Sequence, residues 1–411
     1  MDTPELTPSA VLQRDMETIA SLAAARLPGL RSLLLGGSFA RGEGTFLRRG
    51  TQWVPYKDYD LFAVMDGGTA RQCEAALAGV RQAAYRALGY APYDERRPSP
   101  GQFHIGIALV PIAALGRLPH DLSNAELGLL GKVVWGEDVK AKIRSDPRLI
   151  PPSSGLRPVL NKLIGLVEQW GDWIDDGTTP DDELGLAVAY DRAKTVLDVA
   201  AAVLLLHGVW TAGYAARNSV LREHETDGPL VPAIGPLAVR ADEALAFKLQ
   251  PVAPDPRSCA QLWREARDGL LAVVGPLAGA VLSYPTGDPL DGARRFARAA
   301  RIAWLRPFAE QAATHYGLPL GHALAPCMVV CYSLVENARV GKLSALHPLI
   351  RAWSAAWAWL AATVPGADTE LLQTWAGQVV GAPRSDPRTL RDSIVGLFKA
   401  VSTARRQKRT L

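Results

Sequence analysis

The sequence predicts an α+β fold: a small mixed sheet with flanking helices, followed by an all-helical region. Three observations carry this. Short apolar runs alternate with helically spaced segments up to residue 150. A Pro-Pro-Ser-Ser-Gly stretch at 151–155 then changes the composition. Beyond it, long Ala- and Leu-rich segments dominate. At 411 residues the chain is expected to divide into domains at 1–150 and 151–411, the second subdividing near 250.

Thr7 followed by Pro8 reads as an N-cap and a proline at the first helical position, opening a helix that runs to Arg26 and ends at Pro28-Gly29. The runs 30–35 (LRSLLL) and 59–65 (YDLFAVM) read as buried strands, with an irregular segment between them. Residues 69–88 have helical spacing, with Ala76, Val80 and Ala84 on one side. Residues 103–110 (FHIGIALV) form a third strand closed by Pro111. Ser123 and Glu126 make a capping-box pattern for a short helix, and 132–135 (KVVW) reads as a fourth, edge strand. In the second region, helices are expected at 156–173, 182–206, 260–274, 292–316, 325–339 and 344–363, separated by Pro- and Gly-containing breaks. There is no internal repeat and no low-complexity tract.

Composition excludes several function classes. Hydrophobic residues make up 48% and charged residues 21%, which is ordinary for a packed globular chain. A net charge of +4 over this length does not point to a long nucleic acid. The four cysteines, Cys73, Cys259, Cys327 and Cys331, are too sparse for a disulfide framework and lack paired zinc spacing, so they are expected reduced and buried. No apolar leader opens the chain, and the uncharged stretches at 199–216, 269–287 and 311–335 are each broken by His, Gly or Pro. Buried helices and a cytoplasmic protein without membrane contact are expected.

The chemistry concentrates in 33–44 (LLLGGSFARGEG) and 57–64 (KDYDLFAV). A strand emptying into Gly36-Gly37-Ser38 at a helix start offers bare backbone N–H groups and a hydroxyl to a phosphate. It is not a Walker A loop, because no Lys-Ser or Lys-Thr follows Gly42, and the third glycine of a dinucleotide fingerprint is missing. Asp58 and Asp60, two apart at a strand start, project from one face, the arrangement that magnesium ions use in phosphoryl displacement.

Together, Gly-Gly-Ser followed by Asp-x-Asp in the next apolar strand resembles the DNA polymerase beta superfamily of nucleotidyltransferases, as in small two-domain bacterial members. The resemblance covers the first third well and the helical remainder in outline. It implies Gly37 and Ser38 at the triphosphate of a nucleotide, and Asp58 and Asp60 as ligands of two magnesium ions. It also implies a lysine on a helix after the catalytic domain reaching the triphosphate, for which Lys194, one turn from Tyr190, is the candidate. The sequence departs from the family in two places. The spacer between Ser38 and Asp58 is long, with 45–56 (TFLRRGTQWVPY) reading as an inserted loop. The strand that usually carries a third acid instead reads Gln102-Phe103-His104-Ile105-Gly106. Either His104 activates an acceptor hydroxyl or simply hydrogen-bonds, or Asp94 or Glu95 comes in from the preceding loop.

Other residues have two readings each. Arg41 either meets a phosphate bidentately or pairs with Glu43 as a solvated loop arginine. Lys57 is expected to be a solvated charge. His207, His315 and His322 lack metal spacing, and Trp353, Trp357 and Trp359 are expected in a core. The basic tail 405–409 is expected to be a frayed, solvated end. The function implied is transfer of a nucleoside monophosphate from a nucleoside triphosphate to a hydroxyl, with a small molecule preferred as acceptor and a protein acceptor as a weaker variant. The rival is a catalytically degenerate member that binds nucleotide or a protein partner. An RNA-tailing enzyme would show salt-sensitive RNA binding through the tail.

Overall fold

The computed structural model describes residues 6–67, 70–93, 102–174, 178, 181–232, 234–282, 348–367, 369–382 and 386–408. The helices expected at 292–316 and 325–339, together with Asp94, Glu95, His315, His322, Cys327, Cys331 and Arg409, lie outside them.

The chain is α+β, as expected. Helix α1 (Pro8–Arg26) starts where the sequence places it, with the Thr7 hydroxyl accepting from Ala10 N. Strands β1 (Leu30–Leu35), β4 (Asp58–Met65), β5 (His104–Pro111) and β6 (Lys132–Gly136) form a mixed sheet in the order β5-β4-β1-β6. β1 runs antiparallel to both β4 and β6, whereas β4 and β5 are parallel and joined by the crossover helix α3 (Ala70–Leu88). The segment expected to be irregular contains a single helical turn, α2 (Gly37–Ala40), and the expected inserted loop is a hairpin of β2 (Phe46–Arg49) and β3 (Gln52–Pro55). Leu47 pairs with Val54 and Arg48 with Trp53 across it, and the burial along its short strands shows no period of two that would mark them in the sequence.

Side-chain alternation divides the sheet into two faces. Leu33, Leu35, Tyr59, Leu61, Ile105 and Ile107 meet α1 and α3 in one core. Leu34, Val64 and Val110 meet Leu127 of helix α4 (Leu122–Leu130) and Ile143 in another. The cap of α4 is Asp121, which accepts from Asn124 N at 2.9 Å, and not the expected Ser123. Asp121 holds the extended backbone that an N-cap requires, and Glu126 is engaged by arginines instead of closing a capping box.

The Pro-Pro-Ser-Ser-Gly stretch is not an open linker. Pro152 starts α5 (Pro152–Gln169), because a proline at the first position needs no N–H donor. Close approach follows at once: a Cβ on Gly155 would lie 2.7 Å from Ala202 Cα. Ala202 belongs to α6 (Asp182–Leu206), capped by Asp181 and ended by His207. α7 (Tyr214–His224), α8 (Ala238–Leu249) and α9 (Cys259–Leu282) follow. The described remainder holds α10 (Pro348–Ala362), α11 (Thr369–Val380) and α12 (Pro387–Lys408). Helices α7, α8, α11 and α12 were not expected; α7 and α8 are short, and their inner faces bury Arg217, Asn218 and Lys248, which blurs the apolar stripe. The tail through Lys408 continues α12 and is not frayed backbone.

Trp353, Trp357 and Trp359 are core residues, and Trp353 Nε1 donates to Asn161 Oδ1 at 3.1 Å. Cys73 and Cys259 are free and buried. Among the described residues, no helix is long and apolar enough to cross a membrane.

Candidate active site

Strand β4 delivers the acids. Its buried positions include Tyr59, Leu61 and Ala63, which face α1 and α3, so Asp58 and Asp60 share the opposite face, where both are exposed. Tyr59 is fully buried between them and donates to Asp15 Oδ2 at 2.9 Å, a carboxylate that also accepts from the Tyr90 hydroxyl at 2.7 Å. This anchor on the back face fixes the register that presents the acids. The two carboxyls are neighbours on that face, near enough for the charge of one to act on the other. Burial among surrounding protein and the adjoining Asp58 raise the Asp60 pKa well above the carboxylate range, opposed by Lys194 and Arg41.

The Gly-Gly-Ser turn closes over Asp60. Gly36 N donates to Asp60 O at 2.7 Å. Gly37 has φ +63°, and a Cβ there would stand 2.1 Å from Asp60 Oδ2. Glycine is required at 37 both for the left-handed backbone and for the approach of the carboxylate. Ser38 is half-buried on the same single turn of helix.

The parallel register sets His104 beside Asp58 and Gly106 beside Asp60. His104 therefore shares the acids' face, its ring 4.5 Å from that of Tyr93. Gln102 turns away and donates to Pro92 O at 2.8 Å. The position alongside Asp60 is a glycine, so β5 supplies no third carboxylate, and among the described residues no group of three or more His, Cys, Asp or Glu could hold a metal ion.

The helical region contributes cations. Lys194 on α6 donates to Asp198 Oδ1 at 2.8 Å. Burial alone would lower its pKa, but Asp198 and Tyr214 raise it, so it stays charged, and its field reaches Asp60. Lys57 has φ +74°, a strained backbone for a lysine, directly before Asp58. Instead of being solvated, its ammonium lies 3.9 Å from Asp191 Oδ2 and 5.4 Å from the Tyr190 ring centre. Lys162 joins the same carboxylate at 3.3 Å.

Arg41 makes the pairing with Glu43 that was one of its two readings, but as an enclosed side chain and not a solvated one. It is buried, with Nε 2.8 Å from Glu43 and Nη1 2.5 Å from Glu126, and Glu126 also pairs with Arg217. Glu43 in turn accepts from Tyr214 N at 2.7 Å and Ala215 N at 3.0 Å, capping α7. Lys248, 1% exposed, donates to Glu43 O and Thr45 Oγ1, while the Thr45 hydroxyl donates to Lys248 O at 2.7 Å. Burial, then Lys194 and Arg41, push the Lys248 ammonium down to about 7. The sequence reading missed Glu43 as a cap, Glu126, Lys162, Asp191, Tyr214, Arg217 and Lys248. The one local signal was Glu43 between two glycines, an acid placed where the backbone must turn.

The arrangement provides two carboxyls on one strand face, a glycine turn against them, and an ammonium within electrostatic reach. Two hard oxygen donors are what magnesium commonly takes from a protein, its other positions going to water and phosphate, so the pair fits one divalent ion. No protein-family model matches the chain, and no curated protein matches it.

Proposed function

We propose that this chain is a metal-dependent nucleotidyltransferase with a polymerase-beta-like catalytic domain. The observation that carries the reading is the Asp58–Asp60 pair, on one face of its strand and seated against the Gly37 turn, with Lys194 within electrostatic reach. The acceptor hydroxyl oxygen would attack the α-phosphorus of a nucleoside triphosphate. A phosphodiester bond forms, the bond between the α-phosphorus and its bridging oxygen breaks, and the electron pair leaves with pyrophosphate. A bound divalent ion would supply Lewis acidity at the phosphate oxygens.

The protein's own part is positional and electrostatic. Asp58 and Asp60 would hold the ion, the Gly37 and Ser38 turn would cradle phosphate, and Lys194 would neutralise developing charge. His104, on the face of the acids and beside Asp58, is the base candidate for the acceptor proton. Arg41 has a different role, locking the phosphate turn to α4 and, through Glu43, to α7. A small-molecule hydroxyl is the preferred acceptor, because the net charge of +4 offers little for a long polyanion.

A second reading has one specific observation in its favour. Gly106 stands where a third carboxylate would extend the metal site, which suits a degenerate protein that binds nucleotide without turnover. Calorimetry with each of the four nucleoside triphosphates, with and without magnesium, tests both on wild type and the Asp58→Asn, Asp60→Asn double variant. Metal-dependent binding that the double variant loses, together with pyrophosphate release, supports transfer. Such binding without any product across acceptor classes supports the degenerate reading. No binding, or full activity in both single aspartate variants, overturns the metal assignment.

A further inference from the structure

Four cationic groups converge on one aromatic ring. The Tyr214 ring centre lies 4.8 Å from the Arg41 guanidinium, 4.8 Å from that of Arg217, 5.0 Å from the Lys194 ammonium and 5.5 Å from that of Lys248. Their hydrogen-bonded carboxylates are three: Glu43 and Glu126 for the arginines, and Asp198 for Lys194. Lys248 instead donates to a backbone carbonyl and a hydroxyl. Like charges gathered around a buried ring repel one another, so the fold must hold them there, and the negative face of the ring lowers the cost.

The ring itself is rigidly placed. Tyr214 is the first residue of α7, 4% exposed, and its backbone N–H is bound by Glu43. Glu43 and Glu126 clamp Arg41, so the ring and the segment after the Gly37 turn form one unit. Lys194 is held differently: Asp198 is one turn along its own helix and fixes the ammonium only with respect to α6. Contact with Tyr214 ties it to α7 and to the phosphate turn.

We propose that Tyr214 is a positioning residue, its ring holding the Lys194 ammonium toward the carboxyl pair where the phosphates of a nucleoside triphosphate would lie. The inference rests on the nucleotidyltransferase reading and deepens it. The ring centre lies 5.0 Å from the ammonium and the Tyr214 hydroxyl also acts on it, so the ring and the hydroxyl must be separated by substitution.

The experiment is calorimetry with magnesium and the tightest-binding of the four nucleoside triphosphates, alongside the matching nucleoside. Tyr214→Phe keeps the ring and should bind within about threefold of wild type. Tyr214→Leu should weaken the triphosphate about tenfold and leave the nucleoside unchanged. In a Lys194→Met background the same leucine substitution should add less than about twofold, because the residue it positions is gone. Pentafluorophenylalanine at position 214 keeps the shape and reverses the charge of the ring face; it should reproduce the loss, and it decides the matter if the leucine variant does not fold. A fluorinated variant that binds as tightly as Tyr214→Phe overturns the proposal. So does a loss that persists undiminished without Lys194. If wild type binds no triphosphate, the nucleotidyltransferase reading itself fails, an outcome distinct from either.

Discussion

Removing the Glu43 carboxylate should cost about 4–6 kcal/mol, a figure built from the contacts it makes. One oxygen accepts two backbone N–H groups at the start of α7, from Tyr214 at 2.7 Å and Ala215 at 3.0 Å, and the N-cap residue, Gly213, has no side chain to replace it. Leaving those donors unpaired, Tyr214 N buried and Ala215 N partly so, costs about 1–3 kcal/mol. The other oxygen accepts from Arg41 at 2.8 Å, and both side chains are almost wholly enclosed. Breaking a buried pair costs about 3–5 kcal/mol, and Arg41 keeps Glu126, so the lower end applies. Glu43→Ala should therefore lower the urea midpoint strongly, and Glu43→Gln, which keeps an acceptor for α7, by about half as much. Hydrogen exchange gives a local check: the amides of Tyr214 and Ala215 should lose protection in the alanine variant ahead of the sheet. A loss below about 1 kcal/mol with unchanged protection of α7 would refute the argument that this residue bolts the two regions together.

Three further outcomes follow from the same geometry. Lys248, held near 7 against an ordinary 10.5, binds its proton less tightly folded than unfolded. The unfolded chain then carries the extra proton between those values, so stability should rise with pH across that window by up to a few kcal/mol, with the penalty constant below it. Lys248→Met should flatten that slope in urea unfolding at pH 7 and pH 9.5, and an unaltered slope would exclude Lys248 as its source. Gly37→Ala places a methyl where Asp60 Oδ2 stands and strains a φ of +63°, so it should lower stability by about 1–3 kcal/mol and abolish metal-dependent nucleotide binding; calorimetry showing wild-type affinity would contradict the seating of Asp60. At position 57, where φ is +74°, valine should be about 1–2 kcal/mol less stable than glycine, because both lose the lysine side chain and only valine keeps the strain; equal thermal midpoints would argue against a strained backbone there.

What was legible in the sequence is what depends on near neighbours. The N-cap at Thr7, the strand ending at Gly36 and the common face of Asp58 and Asp60 follow from local spacing, and the structure places each as read. The face of His104 and Gly106 was also readable, because strand alternation is local. Arg41 shows where such reading stops. Its two options were a phosphate or Glu43, two residues away, whereas the burial that decides between them comes from Glu126, 85 residues on. Lys57, read as solvated, meets an aspartate on α6.

The sequence by itself therefore determined the α+β class, the strand that carries two acids and the glycine turn before it, since a period of two and a left-handed backbone are properties of a few consecutive residues. Only the tertiary structure decided which charges are locked and which face the acids. Glu43 reaches its helix 171 residues later, and Lys248 reaches Glu43 across 205. Partners so far apart leave no periodic trace in the chain, because burial of the whole assembly selects them.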